Sequence, residues 1–223
     1  MKVFGLLLLT TALAFGQAPQ QHEDMPLLEG ISRQSSDSIA AAGNSGDKRY
    51  VPFLKPLLKS RWEGTRFIAR MALAKLGDRE ALQYYACRSL TDNPDDVELF
   101  IRDDLDNIRG SFSIEVLKKL LDSDQRFQRF ITHHKARYSD VIVMYPSAVA
   151  LYALPKVVPD SPYPAPPDDP ISRIKGDYRE YKVKWKTWLE SHAEELHRLE
   201  PTADGISFDP KVCRHLPDVK THR

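Results

Sequence analysis

From Ile31 onward the apolar residues recur at helical spacing, interrupted by short polar stops. Ile39-Ala40-Ala41-Ala42 forms a compact face of small residues, and Gly43-Asn44-Ser45-Gly46 ends it. Asp47 is placed to cap a new helix through its carboxylate. Val51, Leu54, Leu57 and Leu58 follow on one face, with Pro52 near the start and Pro56 set to bend the segment. A break at Ser60 leads to a second helix, where Arg66, Ala69, Ala72, Leu73 and Leu76 make a core stripe. Gly77 closes that helix and Asp78 caps the next, which carries Leu82, Tyr85, Ala86, Ser89 and Leu90. Ala69, Ala72 and Ala74 allow a close helix–helix approach, because only short side chains let two backbones come near.

The pattern repeats. Gly46-Asp47 opens one helix, and Gly77-Asp78 opens another 31 positions later, a period suited to a helix-turn-helix unit. A degraded third unit is expected, with an inner helix over 95–108 and an outer helix over 113–121. Pro146 to Leu154 would be that helix's partner, with proline in its first turn. The polar and basic segment 125–138 between them reads as an irregular or helical insertion.

Taken together, Gly46-Asp47, Val51-Pro52, Leu54 and Leu57-Leu58, followed by Arg66-x-x-Ala69-x-x-Ala72-Leu73-x-x-Leu76-Gly77-Asp78, resemble the HEAT repeat. The likeness is to the bacterial type first associated with phycobilin lyases. The good match covers roughly residues 38–91, with weaker matches to about 158. The resemblance implies an all-α fold, a short right-handed α-solenoid of HEAT-like helical pairs with a C-terminal amphipathic helix. It also implies that Arg66 is the repeat's structural arginine, bonding within or between repeats. It implies no activity, since the fold alone does not carry function. The catalytic HEAT family, deoxyhypusine hydroxylase, builds its di-iron site from repeated His-Glu dipeptides on inner helices. Here the dipeptide occurs at His22-Glu23, ahead of the repeats.

The flanks differ in character. Met1-Lys2, an apolar run from Val3 to Phe15 and the small residues around Gly16 read as a signal peptide over 1–16, too short to span a bilayer. Residues 17–30 then form a polar, flexible lead-in to a repeat domain over 31–158. Seven prolines fall between 155 and 170, which rules against helix there and predicts a proline-rich strap over 159–170. A C-terminal unit over 171–223 follows. Its aromatic helix carries Tyr178, Tyr181, Trp185, Trp188, Leu189, His192, Leu196 and Leu199 at helical spacing. That stripe either caps the open end of the repeat stack or recruits a partner or a lipid surface.

Charge narrows the function classes. Lys plus Arg number 32 against 31 Asp plus Glu, so no net field draws in nucleic acid. Cys87 and Cys213 are the two cysteines of the chain. In an exported protein they either bridge, stapling the tail to the repeats, or remain two thiols. Catalytic signals are sparse. There is no phosphate-binding glycine loop, no zincin histidine pair and no GxSxG element. His133 and His134 are adjacent, which suits a solvated segment better than one metal ion. Asp103, Asp104 and Asp106 lack the glycine and bidentate glutamate of a calcium loop. Neither cofactor nor metal is implied.

The reading that follows is a non-catalytic protein-binding or scaffold module in the bacterial periplasm or the secreted space. It would present a concave helical face, with Arg66, Arg70 and Lys75 as contact candidates. Two alternatives stay open. One is an enzyme or enzyme subunit with a site in the irregular region 122–145. The other is a peripheral membrane protein using the Trp185/Trp188 stripe.

Overall fold

The computed structural model describes residues 25–90, 100–123, 127–133, 138–165 and 178–213. The expected signal peptide, most of the lead-in, His134 and the end of the tail lie outside the described residues. So do the first part of the expected helix over 95–108 and the second part of the proline strap.

The described chain is predominantly helical. Helix α1 spans Met25–Ser32 and α2 spans Ser36–Asn44. The lead-in was expected to run unstructured to Gly30. Instead Pro26 sits in the first turn of α1, where its missing N–H costs nothing, and Ile31 is buried. Ser35 caps α2 by accepting from the Ser38 N–H.

The segment expected as a bent helix from Asp47 is three short pieces. They are a 3-10 turn at Lys48–Tyr50, helix α3 at Val51–Leu54, and a 3-10 stretch at Lys55–Lys59. Pro52 and Pro56 account for the fragmentation, since each withholds an N–H from the ladder. Asp47 caps the entry, accepting from the Arg49 N–H at 2.9 Å. Helix α4, Glu63–Lys75, buries Ala69, Ala72, Leu73 and Ala74. Helix α5, Arg79–Arg88, is capped by Asp78, whose carboxylate accepts from the Ala81 N–H at 3.1 Å. The same carboxylate receives Lys55 Nζ at 2.9 Å, tying the proline-broken segment to the start of α5. This hydrogen bond also raises the Lys55 pKa.

A π-helical turn at Phe100–Asp104 runs into α6, Leu105–Ile108. Helix α7 spans Gly110–Asp122 and α8 spans Pro146–Val157. Pro155, expected to lie outside any helix, sits in the last turn of α8. The ladder resumes after it, with the Val158 N–H donating to the Leu154 carbonyl at 2.9 Å.

In the insertion between α7 and α8, expected to be irregular or helical, the described residues pair as an antiparallel ribbon of β1, Phe127–His133, and β2, Tyr138–Met144. Here the expectation fails for a local reason. Val141-Ile142-Val143 is a β-branched run, and Phe127 to Thr132 mixes apolar and polar residues at short period.

The expected C-terminal helix divides into α9, Arg179–Ser191, and α10, Ala193–His197. The break falls at His192. The Trp188 carbonyl accepts from the Ser191 hydroxyl and the His192 N–H, and His192 Nδ1 lies 2.9 Å from it. A last turn, α11, spans Pro210–Cys213.

Packing follows a simple order. α2 lies on α4, α4 on α5 and α6, and α6 on α8, while α7 pairs with α8 and α9 packs on both. One continuous apolar core runs through these contacts from Ile31 to Leu196. The aromatic stripe of α9 faces it. Trp185 is fully buried, Leu189 is buried, and Tyr178, Tyr181 and Trp188 pack against the core at its edge. Tyr163, from the start of the proline strap, stands edge-on to Trp185 at 5.4 Å, so the strap helps seal this end.

Candidate functional site

Helix α7 is amphipathic. Phe112, Val116, Leu117 and Leu121 point into the core. A second stripe, with Ser111, Glu115 and Lys118 at steps of four and three, faces a cleft of about 650 Å³. The opposite wall is made by α10 and the loop over 203–208, and the floor carries Ile114, Leu196 and Ile206.

The loop wall owes its position to α5. Arg79, Gln83 and Cys87 recur every four residues and so share one face of that helix. Arg79 Nη2 donates to the Gly205 carbonyl at 2.8 Å. The Gln83 amide makes a reciprocal pair with Ser207, donating to its carbonyl at 2.6 Å and accepting from its N–H at 2.9 Å. Cys87 is joined to Cys213 by a disulfide, and both residues are fully buried.

The other anchor is the start of α7, which has no side-chain cap. The Ser111 and Phe112 N–H groups instead donate to the Leu199 and Pro201 carbonyls at 2.9 and 3.0 Å. This satisfies donors that a helix start leaves unpaired. It also brings two backbones into contact at Gly110, whose φ is +66°. A Cβ there would fall 2.5 Å from the Glu200 carbonyl group.

Charges around the cleft are paired with one another. Glu115 lies 3.2 Å from Lys118 and 3.7 Å from Lys119. The Lys119 ammonium also sits 4.8 Å from the centre of the Phe208 ring. His197 Nε2 is 3.3 Å from Asp204. One polar atom is left over. Ser111 Oγ is buried and has no hydrogen-bond partner among the described residues. A preformed apolar floor with a rim of matched charges suits a ligand that brings an apolar group and its own polar flanks.

The side chains singled out as concave-face contacts are engaged inside the chain. Arg66 Nη1 donates to the Ser60 and Arg61 carbonyls at 2.9 and 3.3 Å, bracing the loop before α4. The Arg70 guanidinium lies 3.9 Å from the Tyr84 ring centre. Lys75 Nζ donates to Asn44 Oδ1 at 2.7 Å, and burial, with the nearby Arg109 charge, lowers its pKa. Of the Trp185/Trp188 stripe, Trp185 is fully buried and Trp188 is partly buried against the core. Within region 122–145, the alternative enzyme site, the described residues include β1 and β2.

One buried ion pair stands apart from the cleft. Arg88 Nη1 lies 2.7 Å from Asp104 Oδ2, binding the end of α5 to the π-helical turn. Burial raises the Asp104 pKa to about 6, Arg88 pulls it down, and Asp103 adds to the rise. Burial likewise pushes up the Tyr85 phenol, which stacks on Phe100 nearby. Among the described residues no group of three or more His, Cys, Asp or Glu side chains is arranged to hold a metal ion.

Sequence reasoning missed the cleft because its far wall is a short polar loop without periodicity. The available signal was Phe208, an aromatic residue in an otherwise polar tail. Comparison with family models, with curated proteins and with solved structures finds no match for this chain.

Proposed function

We propose that this chain is a non-catalytic protein-binding module of the bacterial envelope or secreted space, built on a short HEAT-like array. Three features support the array. Asp47 and Asp78 cap successive units, α2, α4, α6 and α8 touch in succession, and α9 covers the last of them. The buried Cys87–Cys213 bridge suits an oxidising compartment. Among the described residues no helix is long and apolar enough to cross a membrane.

The observation that carries the binding assignment is the cleft between α7, α10 and the 203–208 loop. Its walls are fixed by long-range hydrogen bonds, and its charges are already matched at the rim. It takes an apolar side chain presented by a partner protein on an extended segment, the polar flanks of that segment exchanging with Lys118, Lys119, Glu194 and Asp204. Such a side chain in a desolvated pocket is the common form of an interface anchor.

The test is to pan a random peptide library on the disulfide-intact protein and then titrate the enriched peptides. They should share an aromatic or long aliphatic residue between polar ones. Ile206→Trp, which fills the cleft, should weaken them at least tenfold, while Arg70→Ala should not. Enriched peptides indifferent to Ile206→Trp would remove the cleft as the binding site.

A further inference from the structure

Two serines in the first turn of α7 are buried, and their hydroxyls fare differently. Neither has a carbonyl of its own helix one turn behind it. Ser113 is fully buried and reaches across to α6, donating to the Leu105 carbonyl at 3.0 Å. Ser111 stands two residues earlier, on nearly the opposite side of the helix, and lines the cleft. It is only 6% exposed, yet its Oγ has no hydrogen-bond partner. Its N–H is spent on the Leu199 carbonyl.

A buried hydroxyl without a partner costs stability, and alanine would fill the same place without that cost. Among the described residues, Ser111 Oγ is the one such atom that belongs to a residue lining the cleft. One rotation about χ1 presents it to an incoming group. The rest of the cleft limits what that group can be. Its floor of Ile114, Leu196 and Ile206 is apolar. Its charges are matched in pairs, Glu115 with Lys118, His197 with Asp204 and Glu194 with Arg198. A charged tip would be desolvated there with a neutral hydroxyl as its partner, which is unfavourable. A wholly apolar side chain would leave Ser111 as unsatisfied as before.

We infer, resting on the cleft as the binding site proposed above, that its occupant is a tyrosine side chain of the partner protein, whose phenol pairs with Ser111 Oγ. Tyrosine joins an apolar ring to a neutral tip, and its hydroxyl can donate or accept, as can that of serine. Its length also fits. Lys118 lies seven residues along α7 from Ser111, about 10 Å on the helix axis, which is close to the reach of a tyrosine side chain plus one hydrogen bond. The partner's backbone then passes the Lys118 end of the cleft while the phenol reaches the start of α7.

The experiment titrates peptides enriched on the disulfide-intact protein, each synthesised with tyrosine and with phenylalanine at the anchor position. The wild type should bind the tyrosine form about three- to tenfold more tightly. Ser111→Ala should reverse the order, with the phenylalanine form tighter by about threefold or more, because the phenol is then buried without a partner. Without peptide, Ser111→Ala should melt at or above the wild-type temperature, since no hydrogen bond is lost. Equal affinity for the two forms, or a tyrosine preference that survives Ser111→Ala, overturns the tyrosine assignment and leaves the cleft as the binding site. A Ser111→Ala protein that melts markedly lower overturns it too, since the hydroxyl then serves the fold. Enriched peptides indifferent to Ile206→Trp remove the cleft itself, and the tyrosine with it.

Discussion

Gly43 of α2 lies against Ala72 of α4 so closely that a Cβ on the glycine would fall 2.6 Å from the alanine's Cα and 2.8 Å from its Cβ. Two opposing effects meet at this point. Replacing a helical glycine by alanine ordinarily gains about 1 kcal/mol of intrinsic propensity. Forcing a methyl group into a packed backbone contact costs about 1–3 kcal/mol. The obstacle here is backbone, which cannot swing aside, so the clash should win. Gly43→Ala is expected to lower the melting temperature. Adding Ala72→Gly should recover part of the loss, although Ala72→Gly alone is destabilising. A stabilising Gly43→Ala would mean that α2 and α4 are not nested as described.

The same contact shows what the chain reveals locally. Asp47 and Asp78 were readable as caps because a carboxylate two or three residues before a free N–H is a local device. The small-residue stripe Ala69, Ala72 and Ala74 announced close helix packing, although not that Gly43 would be its partner. The aromatic spacing of Tyr181, Trp185, Trp188 and Leu189 announced a helix with one buried face. The cleft was another matter. Its far wall depends on Arg79 and Gln83 reaching Gly205 and Ser207, contacts separated by more than 120 positions that leave no periodic trace. The ribbon was missed because the segment 125–138 is polar and basic, which resembles a solvated insertion. The overlooked cue was Val141-Ile142-Val143.

Asp104 gives the fold a pH dependence of unusual sign. Its pKa rises from 3.8 to about 6 on folding, because burial outweighs the attraction of Arg88, and Asp103 works in the same direction as burial. A carboxyl group whose pKa is raised by folding favours the native state most when protonated. Its contribution is full below pH 3.8 and is lost as pH rises through 6. Asp104→Asn mimics the protonated form. The stability difference should therefore move in the variant's favour by up to about 3 kcal/mol between pH 4 and pH 7.5. Urea titrations of both proteins across that range check this. If the wild type instead gains on the variant with rising pH, the Arg88–Asp104 pair stabilises more than its burial costs.

Gly110 is the position where substitution should be least tolerated. Its φ is +66°, and any Cβ meets the backbone of Glu200 and Pro201 at 2.5 Å. Strain in the left-handed region adds to a clash with the Glu200–Pro201 peptide, which lies between the Leu199 and Pro201 carbonyls that receive the α7 N–H groups. Gly110→Ala should cost more than the roughly 1 kcal/mol of an ordinary left-handed glycine. Gly46 provides the comparison, with φ +70° and nothing near its missing Cβ. Gly46→Ala should be the milder change by chemical denaturation. Equal losses at both sites would show that the 199–201 carbonyls do not sit on the start of α7.

The last prediction separates the bridge from the hydrogen bonds that accompany it. Cys87 and Cys213 are 126 positions apart, so their link constrains a long loop in the unfolded chain. By the entropic account, its loss costs about 4–5 kcal/mol. That effect is global, and Cys87→Ser with Cys213→Ser should lower the melting temperature of the whole helical core. Gln83→Ala acts differently. It leaves the bridge intact but frees the Ser207 N–H and carbonyl, which tie the loop wall of the cleft to α5. Hydrogen exchange should then quicken at Ser207 and its neighbours, with little change in α4 or α8. The α5 face thus holds the tail at two levels, one covalent and one through hydrogen bonds. If Gln83→Ala melts the core as deeply as the double serine variant, the loop is not a separately held wall but part of the core itself.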